Sequence, residues 1–185
     1  QREIKLTDYK MSYDKLKIEY RHCRGKGHLQ SKGEYQGKLS FVFTVNGDST
    51  YIQFRDWIGR QTLYLQMAGN EVYAWDILND KGYDTSQVHN LYPFLKILDG
   101  TDLTKFFWGF EPQLDSRDYL TDLYSDLNHV KISFVTDPDG NPFEITKAIF
   151  QFDKNNQIEI VINERQYGMN YPGLKKKIPQ NILFN

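Results

Sequence analysis

Hydrophobic and polar residues alternate along much of this chain, and a period of two marks a strand with one face turned to a core. The stretch GKLSFVFTV is the clearest case: Leu39, Phe41, Phe43 and Val45 share a face, and Asn46-Gly47-Asp48 then supplies a tight left-handed turn. STYIQF sets Ile52 and Phe54 on one face, and QTLYLQM does the same with Leu63, Leu65 and Met67. Ala68-Gly69-Asn70 turns the chain into EVYAWDI. Farther on, HVKISFV, ITKAIFQF and QIEIVIN repeat the alternation, separated by DPDGNP and DKNNQ, which are rich in turn formers. The pattern predicts an antiparallel meander with one apolar face.

Between the two sets of strands the period changes. HNLYPFLKILDG places Asn90 as an N-cap with Pro93 in the first turn and ends on Gly100, which predicts a short helix. TDLTKFFWGFEP opens on a cap-like Thr101 and stops at Gly109 and Pro112, and SRDYLTDLYSDL spaces Leu120, Leu123, Tyr124 and Leu127 at helical intervals. A one-sided sheet needs a cover, so the expected fold is mainly β with an α+β composition: a curved sheet with three short helices over its apolar face. Such a sheet either encloses a cavity fit for an acyl chain or packs an ordinary filled core. Phe106, Phe107, Trp108 and Phe110 are more aromatics than one helical stripe buries in a thin layer, so some are expected to face a cavity or a partner.

One loop breaks the usual turn chemistry. Between STYIQF and QTLYLQM the chain reads RDWIGRQ, with Trp57 and Ile58 at the tip ahead of Gly59. The flanking alternation sends Phe54 and Leu63 inward without them, which leaves the tip free to touch lipid or to pack on a neighbour.

Composition narrows the classes. The 185 residues suit one domain over the whole chain, the aromatic content of 15% favours strands and apolar binding surfaces, and a net charge of −1 argues against a nucleic-acid partner. Cys23 is the only cysteine, which leaves no internal disulfide or thiolate cluster. No apolar run approaches the ~20 residues that span a bilayer, and the first residues contain no signal-peptide core.

Candidate chemistry is sparse. His22, His28, His89 and His129 have no metal-ligand spacing, and His22 and Cys23, adjacent in an expected strand, fall on opposite faces. CRGKG and GKGHLQSKG lack the order of a phosphate loop and are expected to be a turn; DPDGNP reads as a hairpin turn rather than a calcium loop. Asp115, Asp118, Asp122 and Asp126 read as a solvated helix face, and LKKK at Leu174 to Lys177 as a solvated loop or an anionic-headgroup contact. Neither an enzyme, a cofactor nor a metal site is indicated.

The order of these features resembles the LolB family of outer-membrane lipoprotein receptors. Gly27, then Gly37-Lys38-Leu39, Trp57-Ile58-Gly59, Leu63-Tyr64-Leu65 and Gly69 follow the family's glycine-led strand, G-x-L strand, apolar-apolar-Gly loop, L-x-L strand and glycine turn. FFWGFEP resembles its helix ending in an aromatic-Gly motif. The resemblance implies an incomplete β-barrel with a helical lid over an apolar cavity. That cavity would be lined by Leu39, Phe41, Phe43, Ile52, Phe54, Leu63 and Leu65 in the first strands. Leu95, Leu98, Phe106, Phe107 and Trp108 would join from the helices, and Ile132, Phe134, Phe150 and Ile160 from the later strands.

It further implies a monomer on the periplasmic face of the outer membrane, anchored through a lipidated cysteine upstream of Gln1. Such a receptor takes lipoprotein acyl chains from a LolA-like periplasmic carrier and inserts them into the inner leaflet of that membrane, with Ile58 and Trp57 as the inserting loop. Two departures stand out: Trp57 replaces the usual Pro before the loop hydrophobe, and Phe41 or Phe43 the usual Trp of the G-x-L strand. The alternative is a binding module for another hydrophobic ligand or a protein partner, without insertase activity.

Overall fold

Every alternating segment is a strand in the computed structural model, which describes residues 12–34, 36–91, 98–112, 130–176 and 178. The strands are β1 (His22–Lys32), β2 (Gly37–Asn46), β3 (Ser49–Arg55), β4 (Gln61–Ala68), β5 (Glu71–Asp76), β6 (Lys81–Tyr83), β7 (Lys131–Thr136), β8 (Ile145–Gln151) and β9 (Gln157–Tyr167). They form one antiparallel sheet in the order β6-β5-β4-β3-β2-β1-β9-β8-β7. Two meanders thus meet where β1 pairs with β9. Among the described residues the edge strands β6 and β7 do not pair, so the sheet is not closed into a barrel.

The segment expected to turn at CRGKG forms instead the first half of β1. A Cβ at Gly25 would stand 2.1 Å from the Glu164 carbonyl oxygen and 2.5 Å from the Phe43 ring; at Gly27 the same distances apply to the Val161 carbonyl and Phe41. The two glycines are therefore the floor on which the β2 aromatics lie, a close-approach use of glycine within a strand.

Parity breaks in β9 have the largest consequence for the site. Ile158, Ile160 and Ile162 follow one phase, but the pairing to β1 shifts between Lys26 and Gly27, with Lys26 opposite Glu164 and Gly27 opposite Ile162. The bulge turns Arg165 and Tyr167 to the concave side. There they meet the end of helix α3 (Gly100–Phe107), which lies across that face. Arg165 Nε donates to the Phe107 carbonyl at 2.9 Å, and its terminal nitrogens donate to Phe106 O at 3.2 Å, Ile145 O at 2.9 Å and the Glu144 carboxylate. Tyr167 donates its hydroxyl to Trp108 O at 2.8 Å. Carbonyls that a helix C-terminus leaves open are thus satisfied from β9.

Helix α3 begins two residues earlier than the sequence suggests, and most of the helix expected from Asn90 to Gly100 lies outside the described residues. Asp99, not Thr101, caps α3, accepting from Thr101 N and Asp102 N while the Asp102 side chain returns to the Asp99 amide. Helix α2 (Thr85–Leu91) contains Asn90 rather than starting at it, and Asp84 and Gln87 form its reciprocal cap at 2.9 Å each. A further helix, α1 (Tyr13–Tyr20), is capped by Ser12 and buries Leu16 in the core. The helix expected over 116–127, with its aspartates and Asp115, lies outside the described residues.

Phe106, Phe107 and Trp108 are all buried and Phe110 is half-buried against Tyr13, and of the four Phe107 lines the pocket described below, a cavity-facing place of the kind expected. The helix sits in a trough rather than on a flat layer. Phe107 meets Phe41 and Phe43, Phe106 meets Phe134, and Trp108 stacks on Tyr167 while its indole N–H donates to Gly47 O at 2.8 Å.

The opposite face of the sheet is apolar too, contrary to the one-sided pattern. Tyr51 and Tyr64 are buried there under the C-terminal segment, with Leu174 and Ile178. The Tyr64 hydroxyl donates to Lys176 O at 3.2 Å and accepts from Lys176 N at 3.1 Å, and Lys176 Nζ donates to Gln53 Oε1 at 2.9 Å. LKKK is thus only partly solvated: Leu174 is buried, Lys176 is bonded to the sheet and the exposed Lys175 lies over the Tyr51 ring, while Lys177 lies outside the described residues. Among the described residues no helix is long and apolar enough to cross a membrane.

Candidate functional site: an apolar pocket and an exposed loop at one end of the sheet

Antiparallel pairing sorts the connections to two ends. At one end lie the β2–β3 turn at Gly47-Asp48, the β4–β5 turn at Gly69-Asn70 and the β7–β8 loop. Helix α3 is fastened there: Thr101 Oγ1 bonds Asn70 Oδ1 at 3.0 Å, Thr104 bonds Thr50 at 2.7 Å, and Ile145 N donates to Gly109 O at 2.9 Å. At the other end lie residues 33, 34 and 36, 56–60, 77–80 and 152–156. One end of the concave face is therefore filled, and space remains toward the other.

That space is a pocket of about 840 Å³, within the range of ligand sites. Of the residues expected from the sequence, Leu39 and Phe41 on β2, Ile52 and Phe54 on β3, and Leu63 and Leu65 on β4 line it. Phe107 on α3, Phe150 on β8 and Ile160 on β9 complete this set. Phe43, Leu98, Phe106 and Trp108 do not reach it and are buried in the core beneath. Ile132 and Phe134 on β7 pack half-buried against the same core, and Leu95 lies outside the described residues.

Sequence reading missed Leu29 on β1, Val72 and Ala74 on β5, Tyr83 on β6, and Val88 and Leu91 on α2. Val72 and Ala74 were legible as one phase of EVYAWDI; Val88 and Leu91 were not, because TSQVHNL was not read as a helix. Lining from both β6 and β8 also measures the curvature. Seven strand intervals separate them, about 34 Å in a flat sheet at ~4.8 Å each, so the two wings must turn toward each other.

Polar lining residues belong to the loop end. They include Ser31, Lys32 and Glu34 around the β1–β2 connection, Asp76 at the end of β5, and Asp153 and Asn156 between β8 and β9. Asn156 Oδ1 accepts from Glu34 N at 3.0 Å and so joins two of these loops. Asp153 accepts from the Asn156 side chain at 2.6 Å and from the Asn155 and Asn156 amides, bonds that hold its pKa below the ordinary carboxylate value.

The Trp57 loop stands at this same end. Trp57 is 90% exposed and Ile58 53%, and on the adjoining β5–β6 connection Leu78 is 54% exposed. Asp56 organises the tip: its carboxylate accepts from Ile58 N at 3.1 Å, Arg60 N at 2.9 Å and Arg60 Nε at 2.8 Å. Asp56 N donates to Arg60 O and Gly59 N to Asp56 O, both at 3.0 Å. Gly59 has φ 84°, a left-handed value that favours glycine. Desolvation pulls the Asp56 pKa up, but the bonds from the Arg60 side chain and backbone outweigh it, and the net shift is downward. The tip is thus a structured loop that satisfies most of its own amides while presenting two apolar side chains.

Cys23 is buried, and burial pushes its thiol pKa up to about 12, so at neutral pH it is a protonated core residue rather than a nucleophile. His22 and His28 bond Asn46 and Asn163 at 2.6 and 2.8 Å. No protein-family model matches this chain, and no curated protein matches it in sequence.

Proposed function

We propose that this chain is a LolB-like receptor that takes acyl chains of lipoproteins into its apolar pocket and delivers them to a membrane through the Trp57–Ile58 loop. In this reading the sheet is an incomplete barrel, the helices covering its concave face are a lid, and the partners are a LolA-like carrier and the inner leaflet of the outer membrane. The observation that carries it is the placement of a hydrocarbon-lined pocket and an exposed, self-bonded apolar loop at one end of the sheet. A loop that satisfies its own backbone enters an apolar phase at lower cost, because each unsatisfied amide there costs several kcal/mol, roughly. Transfer needs no chemistry; differences in affinity of about 0.8 kcal/mol per buried methylene suffice to move a chain between sites.

A second reading rests on the exposure of Trp57: a rigid, protruding Trp is also a protein-interface anchor, and the chain would then be a binding module without insertase activity. Native mass spectrometry of the protein purified without detergent separates the two. Co-purified lipid is the expected result; an empty chain that captures a protein subunit instead supports the second reading.

A further inference from the structure

We infer that the pocket selects chains whose head group is uncharged or cationic and discriminates against fatty-acid carboxylates and other anionic heads. This rests on the acyl-chain reading and deepens it. The long axis of the choice is set by the lining: side chains on β2, β3 and β4 inside the pocket are Leu39, Phe41, Ile52, Phe54, Leu63 and Leu65, which accept only hydrocarbon. A chain lying against them must leave its head at the loop end, where the polar residues are.

The charges at that mouth are unbalanced. Glu34, Asp76 and Asp153 line it with three carboxylates, against the single ammonium of Lys32. Lys32 is itself engaged, its Nζ lying 3.5 Å from Glu159 Oε1. Lys154 follows Asp153 on the same loop and Lys81 lies over the ring of the lining residue Tyr83 at 5.4 Å, but neither lines the pocket itself, where carboxylates are in excess. Arg60 on the neighbouring loop is committed to Asp56 at 2.8 Å. A carboxylate or phosphate head placed here would meet like charge, without the guanidinium fork that usually receives it. Hydroxyls, amides and ammonium groups would meet acceptors, namely these carboxylates and the side chains of Asn156 and Gln157.

The test is displacement of a fluorescent acyl probe from the delipidated full chain by laurate, monolaurin and dodecyltrimethylammonium, all with the same chain, at neutral pH and low salt. Monolaurin and the cation should compete about tenfold better than laurate. That gap should shrink at high salt and in Glu34→Lys, an exposed position whose folding circular dichroism checks. Laurate competing as well as monolaurin would overturn the head-group inference while leaving the acyl-chain pocket intact. A gap that ignores both salt and Glu34→Lys would also overturn it, because the mouth's charge would not be the cause. Failure of the probe and all three ligands to bind would overturn the pocket reading itself.

Discussion

Arg165→Ala is expected to lower the unfolding free energy by about 3–5 kcal/mol, the cost of breaking a buried ion pair by removing one partner. The Arg165 side chain is only 2% exposed, and it serves Glu144 together with the carbonyls of Phe106, Phe107 and Ile145. Truncation leaves the Glu144 carboxylate without its countercharge and strips the carbonyls of the last turn of α3 of their donor, so the loss exceeds that of one ordinary hydrogen bond. Domains of this kind have about 5–15 kcal/mol to lose, and urea denaturation would show the midpoint falling by a large fraction. Tyr167→Phe, which keeps the ring and removes the hydroxyl that donates to Trp108 O, should cost about 1 kcal/mol. A change under about 1 kcal/mol for Arg165→Ala would mean that α3 is held by its aromatic packing and its other hydrogen bonds, with Arg165 adding little.

Substituting Trp57 and Ile58 together with Glu should abolish liposome binding while leaving stability within about 0.5 kcal/mol of the wild type. Neither side chain belongs to a buried cluster, so the fold has little to lose. In the membrane each is worth roughly 1.5–3 kcal/mol when buried, and losing about 3 kcal/mol weakens partition about a hundredfold. The charges introduced by Glu only add to that. Flotation with phosphatidylethanolamine vesicles reads the effect, and delivery of a lipoprotein to the same vesicles should fall in parallel. Unchanged flotation would remove the loop from the membrane and leave it as a protein contact.

What the sequence made legible, and what it hid, follows from how each residue signals. Alternation placed β2 to β5 and β7 to β9 because their inward residues are unambiguous: Phe41, Phe43, Ile52, Leu63, Phe150 and Ile160 admit no other face. The start of β1 was hidden because Gly25 and Gly27 carry turn chemistry, and their reason for being glycine, the rings of Phe41 and Phe43, lies on another strand. Gly100 looked like a helix terminator when it is the first residue of α3, since Asp99 caps as well as Thr101 and capping residues leave the boundary ambiguous by two residues here.

The second apolar face was overlooked for a different reason. Tyr51 and Tyr64 are amphipathic, and only the segment returning over them decides that they are buried. No local pattern could have announced the β9 bulge, because Asn163 and Glu164 read as ordinary outward residues until the register against β1 is known. Yet that bulge aims Arg165 at the helix that closes the pocket's far end. The exposed tip was the opposite case: Trp57 and Ile58 were conspicuous from the start, and the structure adds the Asp56 bonds that hold them out.

The most direct measurement is a titration of the delipidated protein with a fluorescent acyl chain, compared with Leu65→Trp. Leu65 lies on the pocket wall between Ile52 and Ala74 of the neighbouring strands, so an indole there occupies the space a chain would take. If the pocket holds acyl chains, the wild type binds the probe saturably and the variant, still folded by circular dichroism, binds it about tenfold more weakly or worse. No saturable binding by the wild type, or equal binding by a folded Leu65→Trp, would contradict it.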